Sequence, residues 1–364
     1  MIHLSDLALE ILAKIAAFLP VRDILNLSIC SKHIHDILFV VVLIDNIDFE
    51  QINELPYFDS FINVKYIDYP IIRRGCDIEN SENIFPKSLR ILKWFIEIPL
   101  PKLPKTISHL EFKYHYNGLL TEFPGSLSYL KLSHYYNEPL PSLPDTLTHL
   151  ILGAQYWRKL PSLPDSLTYL DLGHYYNHPI SQFPKALTHL ILSTNYVRPL
   201  PEFPGSLKHL QLGHSYNQLL SRLPDSLVYL KLGGDYNHKF SCFPNSLESL
   251  KLGDNYNQPL PKLPSCLMFL KLGYWYNQNL PQLPNSLTHL ESGPCYDREF
   301  PRLPNSLRRL IVGKRVPLPI ITSFTVIDTN NLRIFDLAPD NEFQEVLWPR
   351  IRTFGLRWFD YLLK

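Results

Sequence analysis

A proline returns every twenty residues along the middle of this 364-residue chain, and this spacing constrains the fold more than any other feature. Each proline opens the same phrase, a pattern close to Leu-x-x-Leu-x-Leu that a tyrosine follows in every copy but the last. The series is Pro104, Pro124, Pro144, Pro164, Pro184, Pro204, Pro224, Pro244, Pro264, Pro284 and Pro304. Because a twenty-residue unit cannot bury its own leucines, the units must stack as the coils of a solenoid.

Within a coil, the leucines predict one short strand. Leu147, Leu150 and Leu152 alternate in a way that turns one face inward, so stacked coils would build a single parallel sheet. The glycine that follows, such as Gly153, is expected to let the chain turn away from the strand. The return leg, residues 140–144, holds two prolines, which predicts an extended and non-helical outer face.

The turn of ten consecutive coils carries a tyrosine, from Tyr116 to Tyr296, and an asparagine follows it in seven of them. An asparagine amide can bond to backbone groups that a non-helical turn leaves unpaired. The spacing therefore predicts an asparagine ladder between coils, which Trp157, Val197 and Asp297 interrupt.

Side chains between the inward leucines are expected to line an open sheet face, with equivalent positions on neighbouring coils ~5 Å apart. Tyrosine and histidine combine apolar area with a hydrogen-bonding tip, which suits protein capture. The candidate target-binding residues are Tyr129, His149, Tyr169, His189, His209, Tyr229, Lys231, Lys251 and Lys271. Two interpretations stay open here: the face binds a protein or peptide, or its rings only stack between coils. The three lysines form a basic stripe that Asp235 and Asp254 are expected to neutralise, leaving a solvated face.

The repeats, over residues 85 to 313, resemble leucine-rich repeats and more closely their short FNIP-type variant. The phrase that carries the resemblance is satisfied eleven times in phase, with a shorter copy that begins at Phe85. The resemblance implies a leucine-rich-repeat-type β-solenoid with a parallel sheet on one side. One departure concerns the turn, where Asn137 stands five residues after Leu132 instead of three.

The N-terminal segment has a different composition and predicts short helices. Apolar residues at helical spacing follow Asp6, a suitable cap, and Pro20 ends the run. Residues 7–20 and 23–32 resemble an F-box, although Ala8 replaces the usual proline and Ile34 the usual tryptophan. The resemblance implies docking on the Skp-type linker of a cullin ubiquitin ligase, with the residues of the linker interface and small helical core drawn from Leu7, Leu9, Ile11, Ile15, Leu19, Pro20, Ile24 and Leu27. The alternative is a helical cap on the first coil.

The predicted fold class is α+β, with a small helical F-box ahead of the solenoid. We divide the chain into an F-box-like domain at 1–38, irregular first coils at 39–84, repeats at 85–313 and a C-terminal cap at 314–364. The cap is predicted from the loss of the period and from aromatic residues such as Trp348, Phe354 and Trp358.

Composition excludes several classes of function. A formal net charge of +1 argues against nucleic-acid binding. The longest apolar run, residues 37–44, is far shorter than the ~20 residues of a bilayer span, and no secretory leader is legible. Five cysteines without a CxxC pair indicate reduced thiols and a cytoplasmic or nuclear location, which would be the host cytoplasm for a viral protein.

No catalytic motif, metal site or cofactor site is predicted. His189, His209 and His214 lie in neighbouring columns, but no closed tetrahedral ligand set is legible. The expected function is that of a substrate-recognition adaptor of an SCF-type cullin ubiquitin ligase, which is not itself an enzyme. Its partners would be the Skp-type linker and a target protein. The alternative is a non-catalytic binding scaffold with no role in ubiquitin transfer.

Overall fold

The computed structural model describes residues 63–64, 85, 87, 89–94, 100–113, 115–313, 325–328 and 332–336. Within these ranges the chain forms fifteen β-strands and no helix, so none of its described elements could cross a membrane as a helix. The predicted non-helical return legs are thus confirmed. The F-box candidates Leu7, Leu9, Ile11, Ile15, Leu19, Pro20, Ile24 and Leu27 lie outside the described residues, as do the cap aromatics Trp348, Phe354 and Trp358.

The strands are short and evenly spaced. The first three are β1 (Asn63–Val64), β2 (Ile91–Trp94) and β3 (His109–Phe112). Nine three-residue strands follow: β4 (Tyr129–Lys131), β5 (His149–Ile151), β6 (Tyr169–Asp171), β7 (His189–Ile191), β8 (His209–Gln211), β9 (Tyr229–Lys231), β10 (Ser249–Lys251), β11 (Phe269–Lys271) and β12 (His289–Glu291). The last three are β13 (Arg309–Gly313), β14 (Thr325–Asp328) and β15 (Leu332–Asp336).

All fifteen strands belong to one sheet, in the order β1 to β13, then β15 and β14. From β1 to β13 every pairing is parallel and the register is a shift of twenty residues between the repeat strands, so that Leu150 pairs with Leu170 and Tyr169 with His189. At the C-terminal end, β15 pairs antiparallel with β13, and β14 pairs antiparallel with β15. The predicted in-phase stacking of coils is confirmed.

The core runs as a continuous column through the coils. The residues at the three leucine positions of each phrase are buried, as at Leu147, Leu150 and Leu152, which are at most 4% exposed. Stacking therefore removes from water the apolar surface that a single coil would leave exposed.

The proline of each phrase marks a tight turn that leads into the strand. The carbonyl of Pro144 accepts a hydrogen bond from the N–H of Leu147 at 3.0 Å, and the same bond recurs in the other coils from Pro104 to Pro304. The residue before that leucine is serine or threonine in most coils, and its hydroxyl donates to the preceding coil, as from Ser166 to the carbonyl of Leu147 at 2.7 Å. The sequence phrase thus specifies both the turn and a bond between coils.

A glycine follows most of the repeat strands, and the physical reason for it differs from the expected one. A Cβ built on Gly253 would stand 1.7 Å from the carbonyl oxygen of Gly233 on the preceding coil, and a Cβ on Gly153 would stand 1.8 Å from that of Ser133. Glycine is required there because two backbones touch. Conformational freedom matters at Gly173, whose φ of 68° is the one positive value among the described glycines.

The tyrosines at the turns form a buried column. Tyr116 to Tyr296 are at most 2% exposed, and consecutive rings lie 6.2–6.4 Å apart in nearly parallel planes. The Tyr116 hydroxyl accepts a hydrogen bond from the N–H of Leu100 at 3.3 Å. Later hydroxyls meet the equivalent backbone N–H in poorer geometry, as that of Tyr216 meets the N–H of Leu200, and burial raises their pKa values.

The asparagine ladder is confirmed. The Oδ1 atom of Asn237 accepts the N–H of Asn257 on the next coil at 2.9 Å. The same bond joins seven pairs of coils, with Asn117, Asn137, Asn177, Asn217, Asn237, Asn257 and Asn277 as acceptors. Each asparagine thereby satisfies a backbone donor that the turn would otherwise leave unpaired.

Candidate functional site

The alternating positions of the sheet face form a column of stacked rings, which we call the ring column. It consists of His109, Tyr129, His149, Tyr169, His189, His209, Tyr229, Ser249, Phe269 and His289. Ring centroids on adjacent coils are 3.8–6.1 Å apart wherever two aromatic residues are neighbours. Parallel strands at this spacing place like side chains face to face, so the rings partly bury one another.

Burial within the stack lowers the pKa values of the central histidines of the ring column. The rings of His189 and His209 lie 4.2 Å apart and nearly parallel. Burial, followed by the proximity of His209, lowers the pKa of His189 to about 4, and burial also lowers the pKa values of His149 and His209. The Thr188 hydroxyl lies 2.9 Å from Nδ1 of His189 and helps to fix the ring. The column therefore offers aromatic faces and neutral imidazoles near pH 7.

Ser249 interrupts the ring column, and the Lys251 side chain lies between the rings on either side of this small residue. The Lys251 ammonium lies 5.6 Å from the Tyr229 ring centre and 5.4 Å from that of Phe269, within the range of cation–π attraction. Lys251 is only 8% exposed. Burial and the nearby charges of Lys231 and Lys271 lower its pKa to about 8.

The structure corrects the expected surroundings of this basic stripe. Lys251 does not lie on a freely solvated face, because the flanking rings cover it. An acidic neighbour of the stripe is Glu291, whose carboxylate lies 2.6 Å from the ammonium of Lys271. Asp235 instead accepts a hydrogen bond from the Asn255 amide at 2.8 Å. Asp235 and Asp254 are close to the lysines in sequence, but the turn after the strand places them in a different column of the solenoid.

A second charged cluster lies at the other end of the sheet, and the sequence reasoning did not single it out. Glu111 is 6% exposed and its carboxylate lies 2.7 Å from Lys113, 3.0 Å from Lys131 and 3.5 Å from Lys93. Burial alone would raise its pKa, but the hydrogen bonds from Lys113 and Lys131 overcome that effect and lower the pKa to about 2. The sequence feature that could have predicted this cluster is the alternation of charge at Lys93, Glu111 and Lys131 on successive strands.

The described part of the chain contains no group of three or more His, Cys, Asp or Glu side chains arranged to hold a metal ion. His214, one of the three histidines considered for a metal site, lies beyond the strand that carries His209. Cys242, Cys266 and Cys295 are free thiols. The chemistry that the described face offers is therefore that of aromatic stacking, neutral imidazole and lysine charge.

Comparison with known families agrees with this architecture. The FNIP Repeat model matches residues 116–155, 158–195, 196–235, 236–275 and 256–295. The chain belongs to the FNIP repeat family. An F-box domain model matches residues 4–40, ahead of the FNIP repeats. F-box domains and leucine-rich-type repeats are typically non-catalytic interaction modules, and their combination is that of a protein-binding adaptor.

Solved structures similar to the FNIP repeats are leucine-rich-repeat proteins. CroV588, described as a circular leucine-rich-repeat protein, is 29% identical over 72% of this chain and 48% of its own, with a TM-score of 0.55. YopM from Yersinia enterocolitica is 27% identical over 62% of this chain and 55% of its own, with a TM-score of 0.48. This chain thus spans about half the length of either protein. No curated protein sequence matches it.

Proposed function

We propose that this protein is a substrate-recognition adaptor of an SCF-type cullin ubiquitin ligase. The F-box at its N-terminus would bind the Skp-type linker, and the FNIP repeats would bind the target protein. The observation that carries the proposal is the order of the modules: an F-box match precedes a solenoid whose sheet face presents a regular aromatic column. F-box domains generally bind Skp-type linkers, and repeats of this type bind proteins.

The proposed domain division keeps the sequence boundaries: an F-box at 1–38, first coils at 39–84, repeats at 85–313 and a cap at 314–364. The pairing of β1 with β2 supports a connector that continues the sheet toward the N-terminus. A rigid connection would matter because an adaptor works by raising the effective concentration of a target near the ligase. The chain itself would not catalyse ubiquitin transfer. It would act in the cytoplasm or nucleus.

The target-binding surface would be the ring column together with the lysine stripe. Its central part, from His149 to His209, presents half-buried rings at a fixed spacing, so binding would order few side chains. The lysines Lys231, Lys251 and Lys271 would favour acidic groups on the target next to the aromatic contacts. Stacking between coils and target binding are compatible, because the rings from His149 to His209 are only partly buried.

The two ends of the molecule can be tested separately on the full-length chain. Changing Leu19 and Ile24 to aspartate should abolish capture of a purified Skp-type linker, while changing Tyr169, His189 and His209 to alanine should leave it intact. Proteins captured by the wild type are then identified by mass spectrometry, and the ring-column variant should lose them. Failure of the wild type to bind the linker would refute the ligase role and leave a binding scaffold. Full target capture by the ring-column variant would refute the assigned face.

A further inference from the structure

The asparagine ladder is broken in two central coils by apolar residues that point into solvent. Trp157 is 52% exposed and Val197 is 40% exposed. The N–H groups of both residues still bond to the asparagine of the preceding coil, Asn137 at 3.1 Å and Asn177 at 3.0 Å. Neither side chain has an amide oxygen to offer to the next coil. At these positions a bond between coils is given up and apolar surface is left in water, two changes that oppose stability.

Each of these apolar residues is followed by an arginine whose position is fixed. Nε of Arg158 donates to the Asn137 carbonyl at 3.1 Å, and Nε of Arg198 donates to the Asn177 carbonyl at 3.3 Å. The Arg158 guanidinium also lies over the Trp157 ring, 4.5 Å from its centre. The Nε bond uses one of the five N–H donors of a guanidinium, so a rigid fork of four donors remains for a carboxylate.

In the sequence, the loss of the ladder asparagine and the presence of an arginine at the next position occur together. In the ten coils that carry the turn tyrosine, arginine occurs at this position only as Arg158, Arg198 and Arg298, and in each case the residue before it is not asparagine. Between the first two arginines, Nε2 of His178 lies 2.8 Å from the Trp157 carbonyl. We call Trp157, Arg158, His178, Val197 and Arg198 the edge patch.

The edge patch is basic as well as apolar. The exposed Lys159 adds a positive charge beside Arg158. The acidic residue at the equivalent position of the preceding coil, Glu138, accepts a hydrogen bond from the Asn117 amide at 3.4 Å. A partner of complementary chemistry must therefore bring carboxylates together with apolar side chains.

The distance between the two arginines restricts the conformation and the carboxylate spacing of a bound partner. Arg158 and Arg198 are two coils apart, which corresponds to ~10 Å at the usual distance between strands. A peptide extended in the polyproline II conformation advances ~3.1 Å per residue with about three residues per turn, so carboxylates three residues apart lie on the same face and match this separation. We propose that the edge patch docks an extended acidic segment of a partner protein, with Asp or Glu at positions i and i+3 and apolar side chains between them. This surface is separate from the ring column and does not depend on the ligase role.

The test uses the full-length chain and a fluorescein-labelled ten-residue peptide built on Glu-Leu-Phe-Glu, followed by fluorescence anisotropy. Matched peptides carry glutamine in place of glutamate, or glutamates spaced one residue apart. The glutamate peptide should bind, and both matched peptides should bind about tenfold more weakly or worse. Raising the salt concentration should weaken binding of the glutamate peptide most.

Two edge variants separate binding from folding. Arg158→Glu with Arg198→Glu should weaken peptide binding at least about tenfold. Trp157→Asn with Val197→Asn restores the ladder, so it should unfold no earlier than the wild type yet lose peptide binding to a similar extent. Tyr169→Ala in the ring column is the control and should bind the peptide normally.

Several outcomes would overturn the proposal. These are equal binding of the glutamine peptide, full binding by both edge variants, or no binding of any peptide up to about 1 mM. Concentration-dependent dimerisation that Trp157→Asn with Val197→Asn abolishes, in the absence of peptide binding, would assign the edge patch to a second copy of the chain instead. Linker capture is measured on the same preparations, so loss of the ligase role is distinguishable from loss of the edge patch.

Discussion

Substituting alanine at Gly253 should destabilise the solenoid strongly, and the structure explains the size of the effect. The new Cβ would stand 1.7 Å from the Gly233 carbonyl oxygen and 2.7 Å from its carbon, whereas real Cβ contacts essentially never fall below 3.0 Å. The coils must therefore separate locally by about 1 Å. The atoms that have to move are backbone atoms, held on the far side by the bond from the N–H of Leu252 to the Lys271 carbonyl at 2.9 Å.

Overpacking of this kind costs ~1–3 kcal/mol, and a disturbed hydrogen bond between coils adds ~1 kcal/mol. We therefore expect Gly253→Ala to lower the free energy of unfolding by about 3 kcal/mol. Gly205 supplies the matched control, because a Cβ there meets nothing within 4 Å and its φ is not positive. Alanine at Gly205 restricts the unfolded chain and should stabilise by ~0.4–1 kcal/mol.

The assay is urea unfolding of the full-length chain, followed by far-ultraviolet circular dichroism, with the midpoint and slope compared among wild type and both variants. The two substitutions add the same methyl group to the same residue type, so composition cannot account for a difference between them. A midpoint for Gly253→Ala within error of that for Gly205→Ala would refute the close approach of the two backbones and the in-register stacking behind it.

Three further outcomes are expected. Tyr116→Phe should cost ~1 kcal/mol because it leaves the Leu100 N–H without its hydroxyl partner, and Tyr216→Phe should cost less because its hydroxyl meets the Leu200 N–H in poorer geometry; urea midpoints compare the two. Because the folded pKa of His189 is about 4, below the ordinary value of 6.5, the unfolded chain binds the proton more readily, so stability should fall from pH 6.5 toward 4. His189→Phe should flatten that dependence in urea titrations at pH 7 and 5. Asn237→Ala removes the acceptor for the Asn257 N–H and should cost ~1 kcal/mol, and Asn237→Asp, which keeps an acceptor, should cost less; a thermal melt that does not separate these two would contradict the ladder.

Much of the fold followed from the period alone. A twenty-residue phrase with inward leucines admits one economical packing, so the parallel sheet and its register could be predicted from residues such as Leu150 and Leu170. The asparagine ladder could be predicted because a turn without a helix leaves backbone donors that an amide can satisfy. The F-box match at residues 4–40 agrees with the predicted N-terminal module, which lies outside the described residues.

The charged groups of the sheet face could not be predicted in the same way. The pairing of Lys271 with Glu291, and the placement of Lys251 between two rings, depend on distances of a few ångströms between residues far apart in sequence. Asp235 and Asp254 were predicted to neutralise the lysines because they are near in the sequence. The turn after the strand carries them to another column, where Asp235 bonds to Asn255.

The sequence by itself determined that equivalent residues of successive coils stack, because only that arrangement buries the leucines of a repeat too small to have its own core. The tertiary structure decided how close the stacked groups come. Contact between Gly233 and Gly253, the desolvation of His189 and the exposure of Trp157 each depend on coil separation and turn direction. Those are set by the packing of all neighbouring coils together, which the pattern within one repeat does not contain.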